Sequence, residues 1–514
     1  MDEQEKSLRV LAKGAGITLI GVAVSKFLSY GYRLLTARLG TSEYGQLSLG
    51  LAILNILAVL CLFGMPQAVL RYVAYYEGRQ DFQRMRGTIL FSLKFVLAFS
   101  IIAAAALYVS AGYISSNIFH DGELKNILKI FALVLPALVL RNNILSVFQA
   151  FKKVEYEMLA RHVTENAAKI VLAAVLLYAG FGILGGAAAY AAAIVLSFAL
   201  SVYFFRKVFP FKSSIMPQYE IKELIGYSLP AILNALIVLV LVWTDTFMLG
   251  YYRTTSDVGI YNAVVPTAAI IYIVPNALLV LLVPVLTNLY ARQEMQAFAG
   301  VYRTINKWIL AANIPLLVVF AVFPKAILDF LFGRAYIPGW SSLIVLMFGY
   351  FVYHLSWASN NVLLVLKRQK LVLLICSIGS ILNIILNALL IPRYGFFGAG
   401  VATSISLLAI GALNFALAAA ITRISPFKRG CLKLILSGAV LLVLAGLLLY
   451  FLQGIPASLL SLISFVSLLA AYSGLLLVTR SINREDIAIL KVIMQKTGLK
   501  LDWLKPIINK FVEK

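Results

Sequence analysis

Apolar runs long enough to cross a bilayer recur along this chain and leave few architectures open. A helix needs about 20 predominantly apolar residues to span the hydrocarbon core. Fourteen such runs can be marked, near 12–38, 46–72, 87–115, 126–151, 157–179, 183–205, 223–250, 259–290, 304–332, 341–366, 370–391, 397–422, 432–452 and 457–479. Backbone groups in lipid must find their partners internally, so runs of this kind predict α-helices. Composition agrees: 62% of the 514 residues are hydrophobic and 13% charged, with a mean hydropathy of +0.93. The expectation is an all-α polytopic membrane protein of about 14 transmembrane helices.

The net charge of +23 does not point to nucleic acid here, because its distribution follows the helices. With the N-terminus placed in the cytoplasm, 32 of the 44 Lys and Arg fall in inner segments or the C-terminal tail. Seven fall in outer ones: Arg38, Lys125, Lys129, Arg253, Lys325, Arg334 and Arg393. That bias is the positive-inside pattern for an even number of spans with both termini cytoplasmic. The plasma membrane is the expected location. The polar start "MDEQEKSLRVLAKGAG" leads directly into a full-length run, so no cleavable signal is expected. Cys61, Cys376 and Cys431 lie in or beside apolar runs and suggest neither a disulfide framework nor a metal site. No nucleotide-binding motif is evident, and no cofactor is expected.

Two short stretches echo at nearly one offset. "TSEYGQLSLG" (41–50) aligns with "TSDVGIYNAV" (255–264) at 214 residues, and "FGILGGAAA" (181–189) with "YGFFGAGVA" (394–402) at 213. Each is expected to form an outer connection between helices. Six spans separate the copies, so the halves share one orientation as a parallel repeat. The expected organisation is a six-helix half at 1–210, a second at 211–425, two further helices at 426–480 and an amphipathic cytoplasmic tail at 481–514.

With "ARLGTSEYG" after span 1, "GYSLPAILNAL…WTDTFMLG" through span 7 and "VGIY" before span 8, the chain resembles a known superfamily. It is similar to the oligosaccharide flippase branch of the multidrug/oligosaccharidyl-lipid/polysaccharide exporters. The resemblance covers essentially the whole chain and implies a 6 + 6 + 2 helix plan. It also implies a central cavity through which a lipid-linked sugar, as a polyprenyl phosphate or pyrophosphate conjugate, is carried by alternating access. Implied partners are the anionic lipid-linked oligosaccharide, membrane lipids and glycan-assembly enzymes, with no nucleic acid.

Ionisable residues inside spans are functional candidates, since facing lipid costs at least about 2.5 kcal/mol. Lys26 lies in span 1, with Arg33 two turns further on the same face. Arg141 lies in span 4 beside Asn142 and Asn143. Lys169 ends an i,i+4 ladder of Glu157, Arg161, Glu165 and Lys169, a partly self-neutralised helix face. Lys26, Arg33, Arg141 and Lys169 are the expected substrate-binding cations, Arg being suited to a phosphate. Asp245 in span 7 is expected to act in gating or coupling, by pairing with Arg33 when the outer side is closed. Lys94 is expected to snorkel to the inner surface. His354, Asn360, Asn361, Asn383 and Asn387 are expected to knit helices together. Pro266, Pro275 and Pro284 should bend span 8.

Two other functions compete. A cation-coupled multidrug exporter of the same superfamily would want several cavity carboxylates, and Asp245 is the one clear candidate. A membrane glycosyltransferase or ligase would want catalytic carboxylates or histidines on sizeable loops. The outer loops are short and the chain has 3 histidines, so no enzyme is expected.

Overall fold

The computed structural model describes residues 25–209, 216–427 and 430–451, with 467, 468, 472, 474 and 475. Most of the expected span 14 and the amphipathic tail lie outside the described residues, as does the first part of span 1. The chain divides into two compact units, Met1–Gly259 and Ile260–Lys514. No strand occurs among the described residues. Ten of the described helices are long and apolar enough to cross a membrane.

The first unit opens with α1 (25–37). It continues with α2 (Thr41–Leu62), α3 (Met65–Gly78) and α4 (Phe82–Tyr113), extended by a π-helical turn, Ile114–Ile118. Next come α5 (Leu124–Ala150), α6 (Val154–Glu157), a second π-helical stretch at Met158–Thr164, and α7 (Glu165–Tyr178). α8 (Gly182–Val208) and α9 (Ile221–Tyr252) complete the helices lying wholly within it. The expected span 2 is therefore two helices, parted where Phe63 and Gly64 take left-handed φ of 48° and 72°. Span 5 is also interrupted, by the π-helical stretch.

α5 forms the centre of this unit. It packs against α2, α3, α4 and α8, and 67% of its apolar window is buried, against 22% for α4 and 11% for α9. At one end, Val73, Tyr76, Met85, Ile89, Phe148 and Phe205 form a continuous apolar core. Apolar side chains left outside the core suit lipid, which offers no polar partner to a backbone already bonded within its helix.

The second unit includes most of α10 (Thr255–Ala268), a 3₁₀ turn at Ala269–Tyr272, and α11 (Ile273–Ala291). It continues through α12 (Met295–Val322), α13 (Pro324–Phe332), a 3₁₀ stretch at Arg334–Gly339, α14 (Trp340–Leu355) and α15 (Trp357–Val365). α16 (Gln369–Thr422) and α17 (Gly430–Phe451) follow. The expected bend in span 8 takes the form of the 3₁₀ turn three residues after Pro266, whereas Pro275 and Pro284 lie inside α11. A proline removes one helix hydrogen bond and crowds the preceding turn, which makes that site the weak point. α16 is two helices joined at Gly395, with φ 55° and ψ −135°.

The two echoes acquire physical content here. The segments expected as outer connections are helical: Thr41 and Thr255 each begin a helix, α2 and α10. Their N-terminal turns meet reciprocally. Thr41 Oγ1 lies 2.7 Å from Ser256 Oγ, and Ser42 Oγ lies 2.9 Å from Thr255 Oγ1. A Cβ on Gly45 would stand 1.7 Å from the Thr255 carbonyl oxygen, and one on Gly259 would stand 1.8 Å from that of Thr41. Echoed residues thus exchange roles across one close backbone crossing.

The second echo is conformational. Gly182 and Gly395, 213 residues apart, have φ of 54° and 55°. A side chain at positive φ costs at least about 1–2 kcal/mol, and more at the ψ of −135° that Gly395 adopts. Gly182→Ala has nothing within 4 Å of the new methyl group, so its loss of about 1–2 kcal/mol or more should come from the backbone alone. Thermal unfolding in detergent micelles measures it, and Gly182→Asn should lose less than Gly182→Ala, since Asn tolerates positive φ better.

Candidate functional site

The site lies within the first unit and is built on α1, α5, α7 and α8. Glu165, the first residue of α7 after the π-helical stretch, is its hub. Arg141 of α5 donates from Nη1 to Glu165 Oε2, while Lys169 Nζ lies 2.6 Å from Glu165 Oε1. Arg141, Glu165 and Lys169 are 3%, 6% and 6% exposed. The second guanidinium nitrogen, Nη2, donates to Asn142 Oδ1 at 3.0 Å. Lys169 lies 4.6 Å from the centroid of the Tyr190 ring of α8, a cation–π contact strengthened by burial. Two cations around one carboxylate leave one net positive charge in an apolar interior. Arg141 Nε is buried with no hydrogen-bond partner among the described residues.

The π-helical stretch lies immediately before this hub. At i,i+4 spacing Glu165 would serve both Arg161 and Lys169. A π turn inserts one residue into the helical register. The ladder divides there: Arg161 pairs loosely with Glu157 at 4.0 Å, and Glu157 also accepts from Gln149 at 2.9 Å. Glu165 instead meets Arg141. Of the expected ladder, the pairs 157–161 and 165–169 form; Arg161 and Glu165 make no ion pair.

α1 is tied to this cluster by polar contacts. Asn166 Nδ2 donates to Ser25 Oγ at 2.9 Å, His162 Nδ1 is 3.2 Å from the same oxygen, and Lys169 Nζ donates to Asn166 Oδ1 at 3.5 Å. Lys26, next to Ser25, is exposed. Further along α1, the buried Tyr32 hydroxyl donates to the Gly186 carbonyl at 2.9 Å, and its ring lies 6.0 Å from that of Tyr190. Arg33 is half-buried and donates from Nη1 to the Tyr44 hydroxyl at 3.4 Å. Asp245 is buried on α9.

Of the five expected site residues, the fold brings Arg141 and Lys169 into one cluster. It sets Lys26 beside that cluster and gives Arg33 a separate partner. Tyr190, Tyr44, Asn166 and the hub role of Glu165 escape a reading by sequence. Glu165 alone carried a signal, its place in the charged ladder. Among the described residues no group of His, Cys, Asp and Glu is arranged to hold a metal.

Apolar helices long enough to cross a membrane, α5 and α8 of the site among them, define the class: a multi-pass membrane protein. Solved structures share the fold. A lipid II flippase in an inward closed conformation superposes with a TM-score of 0.71 at 16% identity, covering 89% of this chain and 97% of that one. An inward-facing multidrug transporter gives 0.62 at 15%, covering 80% and 98%. In sequence, an uncharacterized membrane protein of Methanocaldococcus jannaschii is 23% identical over 78% of this chain and 82% of its own. A putative O-antigen transporter of Shigella flexneri is 20% identical over 76% and 91%. The lipid III flippase of Escherichia coli is 29% identical over 136 residues, which is 25% of this chain and 32% of that protein.

The family model described as polysaccharide biosynthesis protein matches residues 11–290, and the chain belongs to that family. It lies in the flippase branch of the multidrug/oligosaccharidyl-lipid/polysaccharide exporter superfamily, and a MatE model also matches residues 230–389.

Proposed function

We propose that this protein moves a lipid-linked oligosaccharide, carried on a polyprenyl phosphate or pyrophosphate, from the cytoplasmic to the outer leaflet of the plasma membrane. The carrying observation is the net positive charge of the Arg141–Glu165–Lys169 cluster together with its unpartnered guanidinium N–H. In a medium of low polarity, such a group favours an anionic cargo over a cationic one. Lys26 and Arg33 on α1 extend the basic path. In the second unit, a groove of about 1060 Å³ between α12, α14, α16 and α17 is lined by Leu317, Phe348, Leu408 and Leu442, a surface suited to an isoprenoid chain. The parallel six-helix repeat, supported by the reciprocal 41–45 and 255–259 contact, supplies alternating access. The protein acts as a transporter rather than an enzyme, alongside the enzymes that assemble the glycan.

Reconstitution with defined polyprenyl-linked oligosaccharides tests the reading. Lys26→Ala and Arg141→Ala should each slow translocation about 10–100-fold, the worth of one charge-assisted hydrogen bond. Wild-type rates in both variants would remove the basic path. The MatE match favours a second reading, export of cationic drugs. Uptake of a cationic dye by the same vesicles, unaffected by the oligosaccharide, would establish it instead. For Asp245 we retain a gating role with Arg33. Asp245→Asn should change both the transport rate and the inward/outward distribution, and unchanged values of both would end that assignment.

A further inference from the structure

We infer that the first unit carries a binding slot for one anionic phospholipid, separate from the transported cargo and from the Glu165 cluster. α4 and α8 both pack on α5, and between them they leave a slot of about 300 Å³. Its walls are apolar: Leu97 from α4, Leu140 and Ile144 from α5, and Phe198 from α8. Two cations, Lys94 from α4 and Arg206 from α8, complete the lining. Both are exposed, and neither makes an ion pair or hydrogen bond among the described residues.

The chemistry selects the occupant. An acyl chain fits the apolar walls, and a phosphate fits two unpaired cations that line the same slot. A soluble phosphate would gain the second feature without the first, and an uncharged lipid the first without the second. Position agrees. Arg206 lies in the last turn of α8, beside the core of Val73, Tyr76, Met85 and Phe148 that gathers one end of the unit. That end carries Arg79, Lys152 and Lys153 in its connections and Arg84 and Arg86 in the first turns of α4, so it faces the leaflet whose surface attracts cations. Lys94 therefore does more than snorkel: with Arg206 it forms the headgroup end of the slot.

The experiment titrates the full-length protein in detergent with dioleoylphosphatidylglycerol, dioleoylphosphatidylcholine or the soluble headgroup glycerophosphoglycerol, and counts retained molecules by native mass spectrometry. The wild type should retain one phosphatidylglycerol about thirtyfold more tightly than phosphatidylcholine, two surface cations each contributing close to fivefold. The soluble headgroup should not be retained. Lys94→Gln/Arg206→Gln should abolish the preference. Leu97→Trp should weaken phosphatidylglycerol retention by filling the slot, since Leu97 is 37% exposed and leaves both charges in place. Melting temperatures matching the lipid-free wild type show that the variants fold.

An unchanged preference in the double variant would overturn the proposal, as would wild-type retention in Leu97→Trp or retention of the soluble headgroup. Displacement of the phosphatidylglycerol by polyprenyl phosphate at lower concentration would assign the slot to cargo entry and equally overturn it. Retention is read without transport, so the outcome is independent of the oligosaccharide test.

Discussion

Glu165→Gln is expected to lower the unfolding free energy by about 3–5 kcal/mol, the cost of leaving buried charge uncompensated. Gln keeps the shape of the side chain, so the change isolates charge. The carboxylate receives Arg141 on one oxygen and Lys169 on the other, and its loss strands two cations in an apolar interior. Arg141→Met should cost less, because Glu165 and Lys169 remain a neutral pair at 2.6 Å. The order of effects is therefore set by charge balance and not by side-chain size. Chemical unfolding of the micelle-solubilised protein gives both values. A loss for Glu165→Gln smaller than that for Arg141→Met would show that the carboxylate is not the hub.

The crossing of α2 and α10 should be equally intolerant. Gly45→Ala places a methyl carbon 1.7 Å from the Thr255 carbonyl oxygen, and Gly259→Ala places one 1.8 Å from that of Thr41. The obstructing atoms are backbone, so no rotamer change relieves them and the helices must separate. Overpacking of this kind costs about 1–3 kcal/mol even where side chains can give way. Separation also forfeits the Thr41–Ser256 and Ser42–Thr255 hydroxyl contacts. The direct measurement is disulfide trapping. Thr41→Cys/Ser256→Cys should cross-link readily in the native background, and much less once Gly45→Ala is added. Equal cross-linking in both would mean that the helices accommodate the methyl group without moving.

Much of the fold was legible because lipid imposes a coarse rule: a backbone in hydrocarbon must be helical, and its length is fixed by the membrane. The helix interruptions were less legible. In "NILAVLCLFGMPQ" only Gly64 and Pro66 mark the break at Phe63 and Gly64, and membrane helices carry both residues without breaking. The π-helical stretch at Met158–Thr164 leaves no compositional mark. The glycine echoes were visible as letters, yet their placement as turns was wrong for 41–50 and 255–264. A helix N-terminal turn and a connection draw on the same residues, Thr, Ser, Asp and Gly.

The candidate site divides along the same line. The sequence by itself determined which charges lie within apolar segments, and so which residues must either find partners or bind something charged. It could not say which partners, because ion pairing is decided by angles around helix axes and by contacts between distant segments. Beyond the π-helical stretch Glu165 pairs not with Arg161, four positions distant in sequence, but with Arg141, 24 positions distant. Packing of α7 on α8 brought Tyr190 over Lys169. Burial sets the need for compensation and is local to the sequence; geometry chooses the compensating group, and that only the tertiary structure decided.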